Sequence, residues 1–104
     1  MRTLIGALLA IANTVASAQD YPSKPIHVLV PFAPGGAVDT TARVLAQAMQ
    51  QRVNWQFVIE NRPGGNGFIA TTAVAKAPAD GYTLLMAHTG EFAVNPALFD
   101  DVPY

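Results

Sequence analysis

Apolar and polar positions along the chain change period several times, and each change marks an element. The run Ile26-His27-Val28-Leu29-Val30 is short, β-rich and almost continuously apolar, which predicts a strand covered on both faces. Pro31 ends it, and Phe32-Ala33-Pro34-Gly35-Gly36-Ala37-Val38 is rich in turn formers. Asp39, followed by Thr40, Thr41 and Ala42, reads as the N-cap of a helix, its carboxylate accepting the N–H of Thr41 or Ala42. Val38, Ala42, Leu45, Met49 and Val53 then recur at helical spacing and predict one apolar stripe laid against a sheet.

The same alternation follows twice more. Trp55 to Glu60 predicts a second strand, Asn61 to Asn66 a Pro/Gly turn, and Gly67 to Lys76 a second helix carrying Ile69, Ala73 and Val74. A third strand is expected over Tyr82 to Met86, then a polar loop over His88 to Glu91 and an Asn95-Pro96 turn into Ala97 to Phe99. Strands alternating with helices make this an α/β chain, β-α-β-α-β, with a parallel sheet and right-handed crossovers. In the 2-1-3 strand order, the chain leaves the first and third strands in opposite directions and a crevice opens between their carboxyl ends. The loops Pro31 to Asp39 and Ala87 to Asn95 would line it.

The first stretch stands apart from this pattern. Arg2, the apolar run Leu4 to Ala12 and the small-x-small Ala16-Ser17-Ala18 predict a signal peptide over residues 1–18, cut after Ala18. A membrane anchor would need about 20 apolar residues, and Asn13 and Thr14 interrupt this run too early. Removing the leader leaves residues 19–104, with five Lys and Arg against seven Asp and Glu, so no basic patch for nucleic acid is present. The chain has no cysteine, which leaves an exported product without disulfides and without a thiol for lipidation. It is expected to be soluble in the periplasm. A domain this small buries a low fraction of its surface, so an incomplete chain is expected.

Candidate chemistry concentrates in the loops. Gly35-Gly36 lies between a strand and a helix N-terminus, where backbone N–H groups approach a ligand and the helix dipole favours an anion; the same pair also suits a plain βα turn. Asp39 either accepts a ligand proton or only caps the helix. Gly65-Asn66-Gly67-Phe68-Ile69-Ala70 matches the G-x-G-x-x-G/A dinucleotide pattern, with Glu91 some twenty residues on, but follows the second strand after an intervening Asn61-Arg62-Pro63. An exported chain also has no supply of such a cofactor. His27 and His88 are far apart in sequence with no further close ligand set, so neither a metal nor a cofactor is expected. No G-x-S-x-G elbow accompanies Thr40 or Thr89, and His88, Thr89 and Glu91 read as loop groups facing solvent or a ligand.

Five stretches together carry a resemblance: Tyr21-Pro22-Ser23-Lys24-Pro25-Ile26, Val30-Pro31-Phe32-Ala33-Pro34-Gly35-Gly36, Glu60-Asn61-Arg62-Pro63-Gly64, Ala79-Asp80-Gly81-Tyr82-Thr83-Leu84-Leu85 and Val94-Asn95-Pro96-Ala97-Leu98-Phe99. In this order they resemble the Bug-type periplasmic receptors of tripartite tricarboxylate transporters. The resemblance implies a two-lobed binding protein of the periplasmic type II kind, with residues 19–104 the first part of lobe 1 and the second lobe absent. It implies capture of a small organic acid or related carboxylate for membrane transporter subunits, and no catalysis. On matching positions, the ligand residues it implies are Phe32, Gly35, Gly36, Asp39, Thr89 and Gly90, with Asn66 and Ala70 nearby.

Val38, Phe68 and Gly90-Glu91-Phe92 depart from the family's usual residues. An inward-pointing Glu91 would disfavour a polyanion and favour a monocarboxylate, an amino acid or an amide. Two other readings stand beside the receptor: an exported, truncated remnant without binding activity, and a nucleotide-binding α/β enzyme using Gly65, Gly67 and Ala70.

Overall fold

A computed structural model describes residues 20–104; the predicted leader lies outside the described residues. Three strands, β1 (Ile26–Val30), β2 (Phe57–Asn61) and β3 (Thr83–Leu85), form one parallel sheet in the order β2-β1-β3. Ile26 pairs with Phe57 and Val30 with Asn61 on one side of β1, and His27 pairs with Thr83 on the other. The expected 2-1-3 topology is therefore present, in an open sheet whose two outer strands are both edges.

Helix α1 (Ala37–Val53) connects β1 to β2, and α2 (Phe68–Lys76) connects β2 to β3. α1 begins three residues before the start expected with Asp39 as N-cap, because Gly36 is the N-cap and its carbonyl accepts the Thr40 N–H at 2.9 Å. Asp39 occupies the third helical position, from which a short acidic side chain reaches back over the N-terminus and not forward. The helix stops at Asn54, which adopts a left-handed conformation (φ 56°) and gives its N–H to the Gln50 carbonyl.

The apolar stripe of α1 is less covered than its spacing predicts. Ala42 is buried, but Leu45 is 52% exposed and Val53 45%. A right-handed crossover from β1 to β2 sets α1 over those two strands, and the part of the same face over β3 has no helix among the described residues. A groove of about 170 Å³, lined by Val28, Leu45, Met49, Phe57, Leu84 and Met86 among others, remains there. Among the described residues the apolar core consists of Ile26, Leu29, Val30, Ala42 and Ala70. Its three large side chains contribute roughly 1.5–3 kcal/mol each, so polar ties between loops matter to this fold.

β2 starts at Phe57 and not at Trp55, because the Trp55 ring turns edge-on to Tyr21, with centroids 5.7 Å apart, at the amino-terminal end of the sheet. β3 is shorter than expected by one residue at each end, although Tyr82 O and Met86 N still bond to His27 N and Leu29 O. The expected polar loop after β3 is largely helical. A π-helical turn over Gly90–Val94 runs into a short helix, α3 (Asn95–Leu98). Pro96 has no N–H for a carbonyl one turn back, and its ring crowds that turn; the wider π turn, closed by Asn95 N–H to Gly90 O, relieves both.

Candidate functional site

The carboxyl ends of β1, β2 and β3 open onto three loops, and two separate polar ties shape them. The first orders the loop after β1. Gly35 has φ +89°, a left-handed backbone that favours glycine, and its N–H donates to Asp39 Oδ2 at 2.8 Å. Arg43 Nε donates to both Asp39 oxygens at 3.0 Å, and Asn61 Nδ2 donates to Asp39 Oδ1 at 2.9 Å and to the Phe32 carbonyl at 3.1 Å. Arg43 Nη2 in turn donates to Asn61 Oδ1. Hydrogen bonds from Arg43, then from Gly35, then from Asn61, hold the Asp39 pKa down at about 2 against the opposing effect of burial.

Asp39 is thus buried and fully bonded, and its partners are Gly35, Arg43 and Asn61 in place of the expected Thr41 or Ala42 N–H. Gly36 has no side chain with which to cap α1, and no side-chain cap bond is made there. The first-turn N–H groups of a 17-residue helix therefore open toward the end of the sheet with a partial positive charge.

The second tie joins the loop after β2 to the turn after β3. Gly65, Asn66 and Gly67 all have positive φ. Asn66 Nδ2 donates to Asn95 Oδ1 at 2.6 Å, and Asn95 Nδ2 donates to the Asn66 carbonyl at 2.9 Å and to Tyr104 Oη at 3.2 Å. Tyr104 Oη donates to the Glu91 carbonyl, and the Tyr104 ring meets Phe68 edge-on. Asn95 and Glu91 are both buried, at 2% exposure.

The two tied units meet across the end of the sheet through Phe32 and His88, whose ring centroids are 4.6 Å apart. That contact puts Phe32 of the first loop beside His88, the neighbour of Thr89 and Gly90, at the switch between β1 and β3; Gly35 and Gly36 lie further along the first loop, where α1 begins. Asn66 is exposed beside α2, while Ala70 has no exposed surface and backs the wall. Glu91 does not point into the crevice. It is buried against Gly67 with Oε2 accepting the His88 N–H at 3.0 Å, so the expected bias against polyanions has no basis, and the acid of the dinucleotide pattern is already engaged.

Sequence reasoning passed over Arg43, Asn61, Asn95 and Tyr104. Asn61 and Asn95 were both visible next to prolines or within turns, where an asparagine reads as a turn former. Among the described residues no group of three or more His, Cys, Asp or Glu converges on a metal position. No helix among them is long and apolar enough to cross a membrane. The apolar groove beside α1 has no charged lining residue to orient an acid and lies on the sheet's face, away from these loops.

Known proteins share this chain's sequence and its fold. Residues 41–104 match the family described as "Tripartite tricarboxylate transporter family receptor". The chain is 44% identical to protein BugT of Bordetella pertussis over 97% of its own length and 32% of that protein's. It is similar to the solved periplasmic binding protein BugD, with a TM-score of 0.75 at 43% identity, over 81% of this chain and 28% of that one. A further similar structure is MatC from Rhodopseudomonas palustris with bound malate, with a TM-score of 0.75 at 39% identity, covering 81% of this chain and 29% of that one. The chain spans about a third of the length of the curated relatives it matches.

Proposed function

Because the chain belongs to the tripartite tricarboxylate transporter receptor family, we propose that it takes part in capturing a small carboxylate outside the cytoplasmic membrane for transporter subunits in that membrane. The observation that carries this reading is the uncapped N-terminus of α1 at Gly36, at the end of the loop whose Phe32 meets His88 across the β1/β3 switch point. Such an end offers oriented N–H donors and a partial positive charge, which is what a carboxylate needs. Asp39 takes the Gly35 N–H but bonds none of the first-turn N–H groups of α1, and its charge is paired with Arg43.

The role is capture without bond making. Phe32 supplies an apolar wall, Gly36 lets backbone approach the ligand, Gly90 leaves room for the His88 ring beside it, and Thr89 adds an exposed hydroxyl. Asn66 stands at the edge; Asp39 and Ala70 support the walls from behind. The malate bound by the similar MatC makes dicarboxylates the first compounds to try. Signal-peptide cleavage after Ala18 and the position of residues 19–104 in lobe 1 belong to the same reading. Calorimetric titration with malate, acetate and an uncharged polyol tests it: heat is expected from an acid and none from the polyol, and equal responses to all three contradict it.

A further inference from the structure

We propose that His88 is a direct ligand contact of this crevice, with its Nε2–H donating to the carboxylate of the bound acid; the inference rests on the receptor reading above. None of the motifs that carry the family resemblance includes His88, and the ring is placed by residues particular to this loop. Gly67 has no side chain, and a Cβ there would stand 2.6 Å from Glu91 Oε1, so this glycine is what lets Glu91 lie buried. Glu91 Oε2 accepts the His88 backbone N–H and lies 3.0 Å from the His88 Nδ1. The Gly90 N–H points at the same Nδ1 at 2.9 Å. Phe32 supports the ring from the opposite loop.

The Gly90 N–H aimed at Nδ1 decides the tautomer: an N–H donor pointing at that nitrogen needs its lone pair, which puts the hydrogen of a neutral ring on Nε2. The opposite tautomer, with Nδ1–H on Glu91 Oε2, would set two hydrogens against each other at Nδ1 and leave Nε2 bare, and the ring spectrum below distinguishes the two. Nε2 has no hydrogen-bond partner among the described residues, and the side chain is 52% exposed at the rim between Phe32 and Thr89. A ring held on three sides with one unused donor is a pre-organised contact for an anion, and an N–H to carboxylate bond is of the stronger kind.

The test combines two variants with a ring spectrum. His88→Phe keeps an aromatic ring against Phe32 but has no donor. Gly90→Ala acts from the other side: its backbone is not left-handed, and the added Cβ would stand 2.5 Å from His88 Cε1, so the ring must turn away. Each is expected to weaken malate binding about tenfold or more with little change in melting temperature, and nitrogen–proton ring spectra are expected to show hydrogen on Nε2 and a shift of that resonance on adding malate. Unchanged malate affinity in His88→Phe, or an Nε2 without hydrogen, overturns the inference while leaving the receptor reading intact. Absence of any carboxylate binding by the unmodified chain overturns the receptor reading itself.

Discussion

Arg43 Nε stands 3.0 Å from both oxygens of Asp39, one helical turn away, and so fixes the carboxylate that accepts the Gly35 N–H of the β1–α1 loop. Both Asp39 and Glu60 are held below their ordinary carboxylate values, Asp39 chiefly by Arg43 and Glu60 chiefly by the hydrogen bond with His27 and then by Arg62. The folded chain keeps these groups ionised at pH values where the unfolded chain has begun to bind protons. Their stabilisation is therefore complete above about pH 4–5 and disappears as pH falls through the folded values, toward about 2 for Asp39. Urea midpoints between pH 6 and pH 2 should fall for the unmodified chain and fall less steeply for Asp39→Asn. Parallel curves for the two would show that the pairing has no such effect.

Gly36 offers a separation of stability from binding. Its backbone (φ −75°, ψ 174°) already suits an ordinary N-cap residue, and an added Cβ would meet only the Ala33 carbonyl at 3.7 Å. Gly36→Asp should cap α1 and raise stability by a few tenths of a kcal/mol, while placing a second negative charge on the donors proposed for the ligand. Thermal melts and malate titration of the same variant should move in opposite directions.

Gly67 differs from Gly90 in what surrounds it. Gly67 has φ +83° and backs onto the buried Glu91, so Gly67→Ala is both strained and overpacked and should cost about 1–3 kcal/mol. Chemical denaturation should show that loss for Gly67→Ala and a much smaller one for Gly90→Ala, whose added methyl meets only the movable His88 ring.

Asn95 joins the second and third loops. Asn95→Leu keeps the branched side-chain shape but takes the partner from the Asn66 side-chain amide and carbonyl and leaves the Tyr104 hydroxyl only the Glu91 carbonyl, at a cost of about 1–3 kcal/mol. Asn66→Gly retains the left-handed backbone and deletes one bond, so it should cost about 1 kcal/mol or less. Amide exchange at Gly65 to Phe68 should quicken strongly in Asn95→Leu and modestly in Asn66→Gly.

Much of the fold is legible in local pattern. β1 has the boundaries that Pro25 and Pro31 mark around a run of β formers, and α2 begins one residue from its expected start. Two helical crossovers and an apolar central strand are enough to place β1 in the middle. What local pattern misses is set at long range. Trp55 leaves the second strand for Tyr21, 34 positions away, and Asn61 and Asn95 act through partners 22 and 29 residues distant. The helical course after β3 depends on how Pro96 is accommodated by the turn before it, which periodicity does not register. The first two site loops were visible as glycine-rich breaks and the third as a polar one. The side chains that hold them were not, because asparagine in a turn looks the same whether it faces water or locks two loops together.

The most direct test of a carboxylate site at the β1/β3 switch is an amide nitrogen–proton spectrum of the chain recorded during titration with malate. Shifts concentrated at Gly35, Gly36, Thr89 and Gly90, saturating with acid and absent with an uncharged polyol, are the expected result. Shifts confined to the opposite end of the sheet, around Tyr21, Trp55 and Tyr82, or no saturable shift at all, would contradict it.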